Sequence, residues 1–282
     1  MSVGYDHVDL ATVKQRSIRL AYTPKVLNGA VSDLTLMLIL GVTRQVPRAT
    51  RVVREGQWAQ TPWSPLAFSG PSLEGKTIGF LGFGSIAQTT ALALQHFGPA
   101  RIAYKASSPR AFNINEPYFS ELKEGGWDEQ NALRKKIGKG TTTVENIDDI
   151  NELAAQSDVL IVLASLNDKT KHIINAQVLS KMKKSSYVIN VARGPLIDTK
   201  ALADALAKDE IAGAGLDVLE GEPNVPADHP LLADPKVKDK VFMMPHVGSA
   251  NYETRMHMSE ITEKSVLGGL GLGDGKIVFE VK

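Results

Sequence analysis

There is no cysteine anywhere in the 282 residues. Disulfides, thiolate metal sites, iron–sulfur clusters and cysteine nucleophiles are therefore excluded, and a reducing compartment is permitted. No metal site is expected. An excess of charge of either sign is also lacking, since 32 Lys+Arg against 31 Asp+Glu leave a net charge of +1. That offers no basic field to hold nucleic acid or an anionic membrane surface. Any anion must be bound locally. The longest apolar run, Leu34 to Val42 broken by Thr35, falls well short of the roughly 20 residues that span a bilayer. The opening Met1-Ser-Val-Gly-Tyr shows neither a signal-peptide apolar stretch nor an Arg/Ser-rich transit helix. A soluble, cytoplasmic protein is the expectation. Aromatic residues are few, at 6%, but 43% hydrophobic and 22% charged residues describe an ordinary globular chain rather than a disordered one. At one domain per 150 residues or so, two domains are expected.

Apolar runs of four to six residues alternate with amphipathic stretches of ten or more, the βαβ rhythm of a parallel sheet covered on both faces. Ahead of that rhythm, a short helix starting at Asp9 leads to a strand at Ile18 to Tyr22. Ser32 to Val46 is apolar on nearly all sides and ends at Pro47, so a buried or interface helix is predicted. From Lys76 onward strands are predicted at Thr77 to Leu81, Arg101 to Tyr104, Val159 to Leu163, Tyr187 to Val191, Gly215 to Val218 and Val241 to Met244. Helices are predicted between them at Ile86 to His96, Ile147 to Ala155, Ala176 to Lys181 and Thr199 to Ala207, with a last one at Tyr252 to Leu267. The stretch Ala111 to Thr142 is longer than a connection needs to be and reads as an irregular insertion.

Gly82-Phe83-Gly84-Ser85-Ile86-Ala87 follows the strand TIGFL and opens an amphipathic helix, the setting in which G-x-G-x-x-A means dinucleotide binding. Gly82 permits the tight turn, Gly84 lets the backbone approach a pyrophosphate, and Ala87 is small enough for helix–strand packing. Ser85 and Ile86 begin the helix whose N–H groups and dipole face the anion. At the end of the second strand, where an NAD-specific site places an acid for the ribose hydroxyls, stands Lys105-Ala-Ser107-Ser108-Pro-Arg110. With no carboxylate in that string, Lys105, Ser107, Ser108 and Arg110 are candidates to bind a 2′-phosphate, the alternative being a solvated basic loop.

Three later strands each deliver an ionisable residue near their carboxyl ends, where open α/β sheets bind ligands. These are Arg193 after Tyr187 to Val191, Glu222 after Gly215 to Val218, and His246 after Val241 to Met244. Singly, Arg193 could pair with a nearby acid, Glu222 could be a turn carboxylate and His246 a satisfied core imidazole. Together they form what a 2-oxo acid reductase needs, because a carboxylate and carbonyl want a guanidinium fork and the incipient alkoxide wants a proton.

SVGYDHVDL, LGFGSIAQ, NVARGPLID, AGLDVLEGEP and MPHVGSA resemble, in order and spacing, the signatures of the D-isomer-specific 2-hydroxyacid dehydrogenases. The resemblance implies a Rossmann-type doubly wound parallel sheet, an NADP(H)-preferring or NAD(H)-using oxidoreductase of small 2-oxo acids such as glyoxylate or hydroxypyruvate, and a homodimer. It implies Arg193, Glu222 and His246 as the catalytic set. Ser165, Val191, Asp217 and Gly248 would lie along the cofactor, backbone at Val3 and Gly4 would hold the substrate carboxylate, and Ser249 would border the substrate. The helix from Ser32 would be a dimer arm within residues 31–70, and Trp63 would reach the partner's active site. Family members begin with a flavodoxin-like substrate lobe in which the SVGYDH motif sits late. Here it starts at residue 2, so residues 1–30 and 251–282 are expected to form a truncated remnant of that lobe beside a nucleotide domain at 71–250 interrupted at 111–142. Exposed apolar side chains around Ile18 and Leu20 and a cleft open on one side are expected from it. With the lobe truncated, nucleotide binding is expected to survive and turnover to be weak or nil; the other readings are an inactive fragment and a nucleotide-binding scaffold or sensor of the same descent, the latter opposed by the intact Arg, Glu and His set.

Overall fold

The computed structural model describes residues 2–281. Helix α1 (Leu10–Gln15) starts at Asp9, whose carboxylate accepts from the Ala11 and Thr12 N–H groups and so satisfies two donors the helix cannot. Helices α2 (Asn28–Thr43) and α3 (Val46–Arg54) follow, and then the sheet begins: β1 (Thr77–Leu81), α4 (Ser85–Gln95), β2 (Arg101–Lys105), α5 (Ser120–Glu124), α6 (Trp127–Lys136) and β3 (Thr143–Asn146). The second half runs α7 (Ile150–Gln156), β4 (Val159–Val162), α8 (Ala176–Lys181), β5 (Tyr187–Asn190), α9 (Thr199–Ala207), β6 (Gly213–Leu216), α10 (Pro230–Ala233), β7 (Val241–Met243) and α11 (Tyr252–Gly269). All seven strands pair in parallel, in the order β3-β2-β1-β4-β5-β6-β7. The order reverses direction between β1 and β4, so the loops after these two strands diverge and leave a crevice. Strands β1, β4 and β5 are apolar and almost wholly buried because helices cover both faces.

Three expectations are corrected by this architecture. Ile18 to Tyr22 is not a strand of any sheet; it makes one antiparallel bridge, Ala21 to Glu280, flanked by the Tyr22 N–H bond to the Phe279 carbonyl at 3.1 Å and the Val281 N–H bond to the Leu20 carbonyl at 2.8 Å. Ile18 is 51% exposed, while Leu20 is half-buried. The segment 111–142 is no irregular insertion. It carries α5 and α6, forms the crossover from β2 to β3, and buries Phe119, Leu122 and Trp127 against Phe83 and Tyr104 in the core beside α4. The chain also turns back before Pro47, so that α2 ends at Thr43 and Pro47 lies in the first turn of α3, where proline's missing N–H costs nothing.

Helix α2, predicted to be a buried or interface helix, is largely buried. It lies on its own sheet, with Leu38, Ile39 and Val42 fully or nearly buried. Beneath it the strands carry glycine: a Cβ at Gly213 would stand 2.8 Å from Val42 Cγ2, and one at Gly215 would stand 3.0 Å from Leu38 Cβ. Close approach of helix to sheet is what those two glycines permit. Only Met37 and Leu40 among the large apolar residues of α2 are exposed, each by little more than a third. On the loop between α3 and β1, Trp58, Trp63 and Leu66 are strongly exposed.

Candidate active site

The residues singled out in the sequence gather at the carboxyl ends of the strands. Gly82, directly after β1, has φ +89°, and a Cβ there would stand 2.7 Å from backbone atoms of Leu163 and Ala164, so no other residue fits this turn. Its N–H bonds the Lys105 carbonyl at 2.8 Å, tying the β1 turn to the end of β2. Gly84 is the N-cap of α4 and is uncapped by any side chain. Nothing lies within 4 Å of where its Cβ would be. The first-turn N–H groups of α4 at Ser85 and Ile86 therefore face open space, as a pyrophosphate cradle requires. Ser85 Oγ bonds Asn28 Oδ1 at 3.3 Å, and Ala87 is buried against the sheet.

At the ribose end the sequence expectation is incomplete. Ser107 and Ser108 are exposed, but both cations already have partners. Lys105 Nζ donates to the Asp148 carbonyl at 2.5 Å, and Arg110 stacks on the Tyr118 ring at 4.4 Å while pairing with Glu116 at 3.4 Å. Glu116, six residues past Arg110, brings a carboxylate to this end, and Asp148, from the loop after β3, brings a backbone carbonyl. The string 105–110 alone did not reveal them.

Two of the three ionisable candidates are in direct contact. His246 Nδ1 lies 2.7 Å from Glu222 Oε1, and Glu222 Oε2 accepts the Leu219 N–H at 3.0 Å. With Nδ1 committed to the carboxylate, Nε2 is the ring nitrogen left to face a ligand. His246 itself is left-handed, φ +55°, and Asp217 holds it there. The Asp217 carbonyl accepts the His246 N–H at 2.7 Å, and its two carboxylate oxygens accept the Val247 and Gly248 N–H groups, both at 2.8 Å. Asp217 is 2% exposed. Burial pushes its carboxyl above the usual range, and these two N–H bonds offset that only in part. Expected along the cofactor, Asp217 is here a brace beneath the His246 loop with both oxygens engaged. Gly248 lets that loop close, since a Cβ would meet Asp217 Oδ2 at 3.0 Å.

Arg193 follows β5, two strands from the β7 end that carries His246. At about 4.8 Å per strand the two loops are about 10 Å apart, room for a ligand of a few atoms. Gly194 packs on the backbone of Leu219 and Glu220, which locks the Arg193 loop to the turn that carries Glu222. A second histidine braces the same turn: His172 Nε2 lies 3.0 Å and 3.1 Å from the two Glu220 oxygens. The guanidinium of Arg193 lies against the N-terminal loop, where a Cβ on Gly4 would overlap Arg193 Nη2, so the Val3–Gly4 backbone does border this group. Sequence reading missed Asp6, two residues further on, whose carboxylate pairs with Arg193 at 3.0 Å. Burial acts to raise its carboxyl, but the hydrogen bond and charge of Arg193 prevail and hold it below the ordinary range.

Ser165, after β4, is exposed; Val191, at the end of β5, is buried; and Ser249, three residues past His246, is half-buried with its carbonyl accepting from Arg255 at 3.1 Å. Trp63 alone stands apart, 89% exposed on the α3–β1 loop. No helix among the described residues is long and apolar enough to cross a membrane.

A parallel sheet with a glycine turn feeding an open helix N-terminus, and with Arg, Glu and His at neighbouring strand ends, defines a Rossmann-type nucleotide-dependent oxidoreductase domain. Residues 36–125 and 126–248 match the NAD binding domain of the D-isomer specific 2-hydroxyacid dehydrogenases, and the chain belongs to that family. It is 38% identical over 268 residues to a glyoxylate reductase of Thermofilum pendens, which covers 94% of this chain and 69% of the relative. It is 36% identical over 270 residues to human glyoxylate reductase/hydroxypyruvate reductase, 96% and 72% covered. The crystal structure of an NADPH-dependent glyoxylate/hydroxypyruvate reductase from Sinorhizobium meliloti, in complex with NADP and malonate, superposes with a TM-score of 0.76 at 34% identity, covering 99% of this chain and 75% of that one.

Proposed function

We propose that the protein reduces glyoxylate, hydroxypyruvate or a similarly small 2-oxo acid to the D-2-hydroxy acid, with NADPH preferred over NADH. The observation that carries this reading is the Glu222–His246 pair at 2.7 Å at one strand end with the Arg193 guanidinium at another. Gly82, Gly84, Ser85 and Ile86 would hold the pyrophosphate, and Lys105, Ser107, Ser108 and Arg110 the adenosine end. Ser165, Val191, Asp217 and Gly248 would flank the remaining length. A reduced nicotinamide, when bound, supplies the hydride.

The chain's own residues do the rest. Arg193 takes the substrate carboxylate and polarises the carbonyl with directed N–H donors. His246 holds a proton on Nε2 and delivers it to the carbonyl oxygen as charge develops there. Glu222, on Nδ1, fixes the ring orientation so that Nε2 faces the substrate. Val3, Gly4 and Ser249 border the substrate, and a second copy of the chain, docked through the apolar loop at Trp58, Trp63 and Leu66, is the proposed partner.

Oxidation of NADPH and of NADH on adding a panel of 2-oxo acids tests the reading. Turnover with glyoxylate or hydroxypyruvate is expected, faster with NADPH at low concentration, with the preference weakening as salt rises. Ser108→Asp should reverse that preference by repelling the 2′-phosphate. Tight nucleotide binding with no oxidation by any 2-oxo acid would favour the sensor reading instead, and equal affinity for NADH would sink the cofactor assignment.

A further inference from the structure

The N-terminal loop does more than border the site. Asp6 faces the side edge of the Arg193 guanidinium, with both of its oxygens 3.1 Å from Nε and one of them 3.0 Å from Nη2. On the far side Nη1 donates to the Ala192 carbonyl at 2.8 Å. A guanidinium has five N–H donors. One on Nε and one on Nη2 face Asp6 and one on Nη1 goes to Ala192, which leaves a single N–H on each terminal nitrogen. The N–H left on Nη2 lies on the end edge of the fork, an edge at which a carboxylate can be met by parallel bonds.

Asp6 is itself held in place. The Val8 N–H bonds the Tyr5 carbonyl at 3.0 Å and the Thr23 N–H bonds the Ser2 carbonyl at 2.9 Å. Tyr5 stacks edge-on against Tyr22 with ring centroids 5.6 Å apart, and Asp9 caps α1. Asp6 and Arg193 are 187 positions apart in the chain, and no carboxylate other than Asp6 pairs with Arg193 among the described residues.

Resting on the proposed oxo-acid reductase reading, we propose that Asp6 is the positioning residue for Arg193: it occupies the side edge of the guanidinium so that only the end edge is presented to the substrate. The cost is anion affinity. A carboxylate beside Arg193 repels a second one that approaches the same guanidinium. The benefit is orientation, because an arginine free to turn about its side chain still attracts a carboxylate but no longer polarises the carbonyl along one direction, and misplacement by about 1 Å can cost about 10²-fold in rate.

The two effects have opposite signs, and that makes the role measurable. In Asp6→Asn and Asp6→Ala, kcat for glyoxylate should fall about tenfold or more. The KM for glyoxylate, and the affinity for oxamate as a non-reducible carboxylate, should stay equal or improve, and NADPH binding should be unmoved. Asp6→Asn should lose less kcat than Asp6→Ala, since an amide oxygen can still accept from Nε. A merely structural loop would weaken oxamate and NADPH binding together with kcat, and a merely competing anion would let kcat hold or rise as KM falls; either result overturns the proposal. The Arg193 Nε–H resonance gives a readout free of turnover. It should be sharp in the parent and broadened by exchange in Asp6→Ala, and an unchanged signal would also overturn it. A parent that reduces no 2-oxo acid would defeat the proposed function, while oxamate binding and the Nε–H resonance would still decide the role of Asp6.

Discussion

Replacing Glu222 by Gln changes no shape and removes one charge, and the structure shows why that small change should be costly. Glu222 accepts twice: from His246 Nδ1 at 2.7 Å through Oε1 and from the Leu219 N–H at 3.0 Å through Oε2. A glutamine amide has one oxygen and one NH₂, so it can serve only one of these donors. With the oxygen toward His246, the NH₂ faces the Leu219 N–H, donor against donor, at a cost of about 1–3 kcal/mol for the unsatisfied pair. With the oxygen toward Leu219, the NH₂ donates to Nδ1, which must then be unprotonated, and the ring loses its cationic form. The first orientation keeps the useful tautomer but is disfavoured by about 5- to 150-fold, taking 1.36 kcal/mol as a tenfold change. A fall in kcat of about 10- to 10³-fold is therefore expected, within the range that general acid catalysis supplies. Steady-state kinetics with NADPH and glyoxylate measure it, and fluorescence titration with NADPH should show the nucleotide affinity unchanged. A Glu222→Gln enzyme within threefold of the parent's kcat would refute the assignment of Glu222 as the partner of the proton donor.

Two glycines of the β1–α4 turn should respond in opposite ways. Gly84→Ala meets no neighbour within 4 Å, so it should melt with the parent yet bind NADPH at least about tenfold more weakly because its methyl group intrudes on the pyrophosphate path. Gly82→Ala, at φ +89° and against the backbone of Leu163 and Ala164, should lose about 2–5 kcal/mol of stability from backbone strain and overpacking; equal melting of the two variants would contradict this. Asp158 is pushed up by burial but held below the usual carboxylate range by Lys183 and by the Thr77 N–H. Its contribution to stability is thus complete above the ordinary Asp value of about 4 and lost as pH falls through the depressed one. The melting gap between the parent and Asp158→Asn should narrow below about pH 4, and a gap constant down to about pH 2 would refute the linkage. Leu38→Ala should cost about 2–5 kcal/mol in chemical denaturation, since Leu38 is wholly buried over β6; a loss below about 1 kcal/mol would mean that α2 does not form the core described.

What could be read from the sequence was what local chemistry determines. The β1 turn announced itself because Gly82, Gly84 and Ala87 are each required within six consecutive residues, and α8 and α9 were read to the residue because Asn175 and Asp198 cap them from the adjoining position. Strand β6 was read two residues late, since glycine weakens a strand signal and nothing local says that Gly213 and Gly215 make room for Val42 and Leu38 of a helix about 170 positions earlier. Strand β3 was passed over entirely. It is an edge strand of four residues whose outward Glu145 pairs with Arg101 at 2.9 Å, and its sequence TVEN carries neither an apolar run nor a clear alternation.

The candidate site divides along the same line, and the division has a physical origin. A parallel sheet sends every strand's carboxyl end to one edge, so the sequence alone could place Arg193, Glu222 and His246 on that edge as soon as each was seen to follow a strand. Which charge meets which is fixed by loops, and loops obey no period. Asp6 stood inside a motif quoted for Gly4, yet its partner lies 187 residues away; the Glu116 carboxylate reaches Arg110 from within the β2–β3 crossover, and the Asp148 backbone carbonyl reaches Lys105 from the loop after β3. The pairings with Asp6 and Glu116 join a carboxylate to a cation that the sequence reading had assigned to a ligand, and Lys105 meets a backbone carbonyl. The free donors of such a site should accordingly be counted only after the loops are placed, and here that count leaves the first-turn N–H groups of α4, Nε2 of His246, the Arg193 N–H groups not taken by Asp6 and Ala192, and the hydroxyls of Ser107 and Ser108 for an incoming ligand.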